Sequence, residues 1–377
     1  MLYDRQTDRQ TDRQTDRNYG IDALRIVSMM MIPVLHVLER GGVLNASGVL
    51  TTNYCVAWLL NIMSYCAVNT YGLISGYVGY GRKHRWSSFL ILLFQVLFYT
   101  ITTTVAFVFI KPEAVNLKVI LGAIIPFAYG SYWYYTAYFC LFFIMPYLDI
   151  LIDRLTKIEA QKMLIATFFI FSLLPTLLNK DMGNTVNGYS MLWLSVLYLL
   201  GAYLKKYHFN VSHSMREIVG YFCCVLVTWA SKIVIEILTS VIFGAAKNGN
   251  YLIQYTSPTI VACSVLLLLY FKDIKFSKFG RNMISFFAPA AFGVYLFHRE
   301  PLIWDNVIDK AFTVFASYST LKMVVAILMA SVTIWLIGSL IDRARIRLFA
   351  ALRIKRLSEA IENKFVNSKF MTLLIKE

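Results

Sequence analysis

Ten apolar runs, each about as long as a membrane-crossing helix, dominate the sequence. They cover residues 20–38, 54–80, 87–110, 132–152, 163–178, 189–204, 217–243, 252–271, 284–304 and 321–341. A helix needs about 17–25 mostly apolar residues to cross the hydrocarbon core, and it satisfies its own backbone hydrogen bonds there. The composition agrees, since 58% of the 377 residues are hydrophobic and 15% are charged. The sequence therefore predicts an all-α, polytopic membrane helix bundle of about ten transmembrane helices.

Lys and Arg are distributed unevenly between alternate loops. The N-terminal tail, the loops 81–86, 153–162, 205–216 and 272–283, and the tail after residue 341 hold 26 of them, whereas the opposite loops hold 8. Short cytoplasmic loops of membrane proteins carry the excess of Lys and Arg. We therefore expect both termini in the cytoplasm. The net charge of +15 then reflects topology, and we predict no nucleic-acid partner.

The two ends of the chain differ from the membrane domain, which we place at residues 19–343. Residues 1–18 hold three and a half copies of Asp-Arg-Gln-Thr. The repeat has no apolar residue to bury, so it predicts a disordered tail. Residues 344–377 alternate Ile, Leu and Phe with Arg and Lys, which predicts a basic amphipathic cytoplasmic tail lying on membrane lipids.

The tetrapeptide repeat also carries information about the gene. The codons GAC, AGA, CAG and ACA encode Asp-Arg-Gln-Thr, and together they repeat the single tetranucleotide GACA. Because four is not a multiple of three, the gain or loss of one such unit shifts the reading frame of everything downstream. The repeat therefore predicts phase-variable expression, with a merely low-complexity tail as the alternative.

The first span carries two side chains that are costly in a bilayer, Arg25 and His36. At about 100° per residue, the eleven-residue spacing leaves them about 20° apart around the helix and about 16 Å apart along it, unless Pro33 kinks the helix. Imidazole can take and return a proton near neutral pH, whereas a guanidinium can hold a phosphate or an oxyanion. The alternative is that Arg25 reaches lipid headgroups and that His36 lies at the opposite interface.

Other segments carry further candidates. The second span contains small residues, Ser75 among them, that permit close helix packing, and it runs into the basic cluster "RKHR" of residues 82–85. The ninth span ends in His298, Arg299 and Glu300. Trp133 begins an aromatic run that predicts either an interfacial belt or a stacking surface for a sugar.

Two remaining patterns predict structural roles. Lys232 and Glu236 lie four residues apart in the seventh span, a spacing that favours an ion pair on one helix face. The six cysteines all fall inside apolar runs without a CxxC or Cys/His spacing. We therefore expect small buried side chains at the cysteines and no metal site.

Taken together, these segments resemble membrane-bound acyltransferase family 3, whose members O-acetylate surface polysaccharides. The matching residues are the pair Arg25 and His36, "ISGY" followed by "RKHRW", "YWYYTAYFCLFFIMPYL" and "GVYLFHREPLIW". The resemblance extends from about Tyr19 to Arg343. It implies transfer of an acetyl group from cytoplasmic acetyl-CoA, with no bound cofactor, to a hydroxyl of a surface glycan or its lipid-linked precursor.

The resemblance also implies roles for individual residues. His36 and Arg25 are expected to be catalytic, and Arg82 and Arg85 to bind the acyl donor. Residues expected to support the active site or the acceptor are Ser75, Trp133, His298 and Glu300. The expected location is the inner (cytoplasmic) membrane of a bacterium. The alternative is a membrane transporter or carrier, which also uses intramembrane Arg and His, although the two halves of the sequence show no internal symmetry.

Overall fold

The computed structural model describes residues 17–181, 183–207 and 215–366. Within these ranges the chain forms helices and connecting loops and contains no strand. The predicted disordered tail, apart from Arg17 and Asn18, lies outside the described residues. The same is true of the last part of the predicted amphipathic tail, residues 367–377.

The described residues form seventeen α-helices, several of them joined by short 3₁₀ or π-helical turns. They are α1 (Tyr19–Leu38), α2 (Val43–Ala46), α3 (Thr52–Tyr65), α4 (Ala67–Gly79), α5 (Trp86–Ile110), α6 (Leu117–Ile124), α7 (Trp133–Arg154), α8 (Lys157–Phe168), α9 (Leu174–Leu178), α10 (Met191–Lys206), α11 (Met215–Phe243), α12 (Pro258–Phe271), α13 (Lys278–Phe287), α14 (Ala291–His298), α15 (Pro301–Ile303), α16 (Thr320–Ala351) and α17 (Ile354–Val366).

Six helical segments of the described chain are long and apolar enough to cross a membrane, judged by length and composition. They are Tyr19–Ala46, Trp86–Ile110, Trp133–Arg154, Lys157–Leu178, Met215–Phe243 and Thr320–Ala351. This confirms the predicted all-α membrane bundle. Other predicted spans are shorter or divided: the second consists of α3 and α4, which meet at Cys66, and the ninth is divided among α13, α14 and α15. The number of about ten spans stays a prediction.

Helix α1 lies in the middle of the bundle, where it contacts α3, α4, α14 and α16. It begins at Tyr19 because the Asn18 side chain accepts a hydrogen bond from the Ile21 N–H, and Asp22 lies in the positive first turn. The helix continues through Pro33 to Leu38. Arg25 and His36 therefore belong to one continuous helix, as their spacing requires.

Small residues bring α4 and α10 together, as the sequence predicts. A β-carbon on Gly76 would lie 1.9 Å from the Tyr198 carbonyl oxygen, and one on Gly201 would lie 2.1 Å from the Leu73 carbonyl oxygen. Neither distance is possible for a real side chain, so the backbones can approach this closely only at glycine. The crossing holds α4 in place beside α1.

Loops that the charge pattern predicts on one side of the membrane contact one another. The Asn18 side chain donates a hydrogen bond to the Lys272 carbonyl at 2.9 Å, and the Trp86 N–H donates to the Glu362 carboxylate at 2.8 Å. We call this end of the bundle, where α1 begins, the basic face. The end where α1 finishes, next to Arg40, is the distal face.

The C-terminal part of the described chain consists of α16 and α17. Helix α16 continues to Ala351, so the predicted domain boundary at residue 343 falls inside it. Arg353 adopts a left-handed conformation with φ 54° and turns the chain. Helix α17 then packs against α5, with the Phe365 and Trp86 ring centroids 6.0 Å apart. The described part of the basic tail is therefore helical, as its amphipathic pattern predicts.

Lys232 and Glu236 form the predicted ion pair inside the bundle. The Lys232 ammonium lies 2.6 Å from the Glu236 carboxylate and 3.7 Å from the centroid of the Trp58 ring. The Tyr54 hydroxyl donates to the same carboxylate at 2.9 Å. Because both charges are buried and have polar partners, the pair is a structural element of α11.

Candidate active site

Two histidines from distant parts of the sequence meet inside the bundle. His36 Nδ1 lies 2.8 Å from His298 Nε2, although 262 residues separate them. His36 lies in the last turn of α1, and His298 is the last residue of α14. Helix α14 ends there because Glu300 and Pro301 start a new helical turn, with Glu300 at the N-cap and Pro301 in the first helical position.

A backbone carbonyl determines which nitrogen of each imidazole carries the proton. His298 Nδ1 lies 2.5 Å from the Val294 carbonyl oxygen, which can only accept a hydrogen bond. In the neutral ring, Nδ1 therefore donates and Nε2 accepts the hydrogen bond from His36 Nδ1. It follows that His36 Nε2 has the free lone pair, which can take a proton or accept an acyl group.

A narrow cavity of about 40 Å³, here called the passage, borders His36. Most of its wall is apolar or aromatic and includes Met29 and Ile32 of α1, which precede His36 on the same helix face. Val68 of α4 and Tyr295 of α14 form other parts of the wall. The passage is therefore a small, mostly apolar space beside the imidazole, with room for only a few water molecules.

A cavity of about 1130 Å³ opens at the basic face, and we call it the basic cavity. Its wall includes five cationic residues, Arg17, Arg25, Arg82, Lys205 and Lys206. Arg25 is only one helical turn from Met29, which lines the passage. Helix α1 thus connects the basic cavity to the passage along one face.

The cations of the basic cavity differ in how far they are engaged by the protein. Asp22 pairs with both Arg17 and Arg25, at 2.7 Å each. Lys206 donates hydrogen bonds to backbone carbonyls at the end of α7. Arg82 is exposed on the loop that follows α4. The cavity is therefore positively charged overall, and the long side chain of Arg82 is exposed at its edge.

A third cavity of about 470 Å³ opens at the distal face, and we call it the distal cavity. Arg299, Glu300 and Trp304 form one part of its wall, and Lys118 of α6 forms another. The Trp304 ring meets the His36 ring edge-on, with the centroids 4.6 Å apart. The histidine pair therefore lies between the passage on one side and the distal cavity on the other.

The structure places the sequence-predicted site residues in several positions. His36 and His298 form the histidine pair, and Arg25 and Arg82 line the basic cavity. Arg85 precedes α5 and does not line that cavity; its charge lies near Glu362 of α17.

Besides His298, the other three residues with expected supporting roles have different surroundings. Trp133 lines the passage, and its ring stacks on the Tyr255 ring with the centroids 6.0 Å apart. Ser75 donates a hydrogen bond to the Tyr71 carbonyl within α4 at 2.9 Å. Glu300 is buried and caps α15, accepting hydrogen bonds from the N–H groups at positions 302 and 303.

Sequence reasoning missed two residues beside the histidine pair. Tyr295 is buried in the passage wall, and its hydroxyl has no hydrogen-bond partner among the described residues. Tyr295 lies three residues before His298, a spacing that places both side chains on one helix face. This spacing was visible in the sequence. Trp304 contacts His36 because the helix is interrupted between α14 and α15. The sequence did not predict this interruption.

Comparison with known proteins adds one finding. A family model described as an acyltransferase domain, acyltransferase family 3, matches residues 18–341. No curated protein and no solved structure matches the chain significantly. The matched range includes both histidines and every residue named above in the walls of the three cavities, except Arg17.

Proposed function

We propose that this chain, which belongs to acyltransferase family 3, is an integral membrane O-acyltransferase that transfers an acetyl group from cytoplasmic acetyl-CoA to a hydroxyl of a surface polysaccharide or its lipid-linked precursor. The observation that carries the proposal is the position of the His36 imidazole between a basic cavity and a distal cavity. We place the protein in the cytoplasmic membrane of a bacterium, with the basic face toward the cytoplasm.

The chemistry of acetyl-CoA matches the two cavities on the donor side. Its phosphates are too highly charged to enter a bilayer, so they stay in the basic cavity, where Arg25 and Arg82 supply guanidinium groups. The pantetheine arm is long and slender, and the walls of the passage move apart to let it extend through, because the passage has room for only a few water molecules. The thioester then reaches His36 while the nucleotide remains at the basic face. Acetyl-CoA is a substrate, and we propose no bound cofactor.

The transfer itself requires a base, an acid and stabilisation of an oxyanion. His36 Nε2 takes the proton of the acceptor hydroxyl as that oxygen attacks the thioester carbonyl. The tetrahedral intermediate collapses, the carbon–sulfur bond breaks, and the imidazolium returns the proton to the thiolate of CoA. His298 keeps His36 in the required tautomer, and the free Tyr295 hydroxyl donates to the oxyanion. A variant of this route passes the acetyl group through His36 Nε2 before the hydroxyl attacks.

Replacing His36 with Ala tests the proposal. We expect transfer of radiolabelled acetyl from acetyl-CoA to the polysaccharide to fall by about 10²–10⁴-fold, because the base is lost. The purified variant should still be monodisperse and should still bind CoA in the basic cavity, which serves as the control for folding. Acetyl transfer at the wild-type rate in His36→Ala would refute the assignment. A carrier, by contrast, would not consume acetyl-CoA when the acceptor is present.

We further propose that the Asp-Arg-Gln-Thr repeat of residues 4–17 records a phase-variable switch that turns expression of the enzyme on and off. A variable surface acetyl group changes what a host encounters, so the switch suits the proposed activity. Sequencing the tract in single colonies tests the idea. A pure GACA tract of varying length supports it, whereas mixed synonymous codons or a constant length count against it.

A further inference from the structure

The distal cavity contains a guanidinium without an anionic hydrogen-bond partner in the described chain. Arg299 is half-buried, and its Cζ lies 4.3 Å from the centroid of the Trp304 ring, which holds the side chain in place. Its side chain makes no hydrogen bond or ion pair with any described residue. Guanidinium carries five N–H donors in a planar fork, so a half-buried one facing a cavity is ready for a planar or tetrahedral anion.

The acidic side chains of the same cavity are engaged elsewhere. Asp305 pairs with Arg40 at 2.8 Å. The Glu300 carboxylate accepts hydrogen bonds from the Leu302 N–H at 2.8 Å and the Ile303 N–H at 3.2 Å, which fixes it as the cap of α15. The Glu300 carboxylate interacts electrostatically with Arg299 but makes no hydrogen bond with it. These contacts leave the guanidinium donors free.

A second cation lines the same cavity. Lys118 in the first turn of α6 is exposed, and its ammonium has no hydrogen-bond or ion-pair partner among the described residues. The pair Arg299 and Lys118 gives the cavity two free cations. A neutral ligand would gain little from them, because each would lose hydration without meeting an opposite charge.

The free guanidinium is close to the reacting group. The Trp304 ring contacts both groups, with its centroid 4.6 Å from the centroid of the His36 ring and 4.3 Å from the Arg299 Cζ. Arg299 and His36 can therefore be no farther apart than these two distances placed end to end. That span suits a single sugar residue, with its charged substituent at Arg299 and one of its hydroxyls at His36.

We propose that the distal cavity binds an acceptor that carries an anionic group, a carboxylate or a phosphate, close to the hydroxyl that becomes acylated. Arg299 is the ligand of this anion, and Lys118 adds a second positive charge. The inference rests on the proposed acyltransferase function and names the chemical class of its acceptor. Arg299 thereby determines specificity and orients the hydroxyl toward His36 Nε2.

The experiment uses purified protein and polysaccharide from a strain in which the gene is deleted, so that the acceptor is unacetylated. The polysaccharide is used in three forms: untreated, with its carboxyl groups reduced, and with its phosphate esters removed by cold hydrogen fluoride. Acetyl transfer is measured for the wild type, Arg299→Gln and Arg299→Lys. Lys180→Gln is the matched control, because Lys180 is an exposed cation in a loop between predicted spans that does not line the cavity.

We expect one of the two treatments to lower the wild-type kcat/KM by about 10–100-fold, the range for a lost hydrogen bond to a charged group. Loss on carboxyl reduction identifies a carboxylate, and loss on dephosphorylation identifies a phosphate. Arg299→Gln should show the same loss on the untreated acceptor and no further loss on the neutralised one. Arg299→Lys should retain part of the activity, and Lys180→Gln should match the wild type.

Two results would contradict these statements in different ways. Equal wild-type transfer to all three forms, or an Arg299→Gln variant that matches the wild type on each, would overturn the anionic-acceptor inference while leaving the acyltransferase function in place. Absence of transfer by the wild type to the untreated polysaccharide would overturn the proposed function and the inference together.

Discussion

A single backbone carbonyl sets the protonation of the histidine pair. Val294 accepts from His298 Nδ1 at 2.5 Å, which leaves His298 Nε2 to accept from His36 and leaves His36 Nε2 free. The arrangement parallels a catalytic triad, in which a third group holds the base in its working tautomer. Here a second imidazole fills that position, and a carbonyl orients the imidazole in turn.

Replacing His298 with Ala tests whether His298 holds His36 in its working tautomer. Without its partner, His36 can adopt the other tautomer, and we expect kcat to fall by about 10²–10⁴-fold with a smaller change in the KM for acetyl-CoA. His298→Gln should restore part of the activity, because its side-chain carbonyl can accept from His36 Nδ1.

The double variant distinguishes catalytic coupling from a loss of packing. If the two histidines act as one unit, His36→Ala with His298→Ala should be about as inactive as His36→Ala alone. Independent, additive losses in the steady-state kinetics would show that His298 contributes to structure only.

The sequence predicted the candidate residues better than their partners. The spacing of Arg25 and His36 placed them on one face of α1. In the structure, Arg25 lines the basic cavity and His36 borders the passage. The 2.8 Å contact to His298 could not be predicted, because periodicity describes one helix and says nothing of its neighbour. Whether these residues act as the family resemblance implies stays a prediction.

At the scale of elements, the informative feature is the division of the ninth predicted span. Pro289 lies between α13 and α14, and Pro301 starts α15. Proline cannot donate the backbone hydrogen bond that a continuous helix needs, so the chain forms short helices instead. This break places His298 at a helix end and turns Trp304 toward His36. A hydropathy reading counts apolar residues and therefore predicts one uninterrupted helix.

At the crossing of α4 and α10, the sequence predicted close helix packing but not which helix is the partner. Gly72, Gly76 and Gly79 predict that one face of α4 packs closely against another helix. The identity of that helix comes from Tyr198 and Gly201, which lie more than a hundred residues further along the chain. Complementary small residues are common in membrane helices, so several pairings would satisfy the sequence equally well.

At the scale of the whole molecule, the passage is a small cavity beside His36 that residues of α1, α4, α7 and α14 line. Its volume of about 40 Å³ is small compared with the cavities on either side, of about 1130 and 470 Å³. In the proposed reaction, the passage separates the donor in the basic cavity from the acceptor in the distal cavity. A reaction across the bilayer then needs only the acyl end of the donor to pass through.

Val68→Phe tests whether the donor uses this route. Val68 is buried in the passage wall, and a benzyl group there leaves no room for the pantetheine arm. We expect acetyl transfer to fall by about 10²-fold or more, because the thioester no longer reaches His36, while CoA binding to the basic cavity persists.

Val68→Ala is the matched control, since it widens the passage at the same position and should retain transfer. CoA binding by calorimetry in both variants verifies that the fold is intact. Transfer by Val68→Phe at the wild-type rate would show that the donor reaches the histidines by another path.

The sequence alone determined that this protein is an all-α membrane bundle of acyltransferase family 3, and both statements are confirmed. Hydropathy, charge bias and local motifs are properties of consecutive residues, so they can be read without knowing which helices touch. The histidine pair, the passage and the free guanidinium of Arg299 depend on contacts between distant segments. Only the tertiary structure decided these, because helix packing selects one set of neighbours from many that the same apolar surfaces allow.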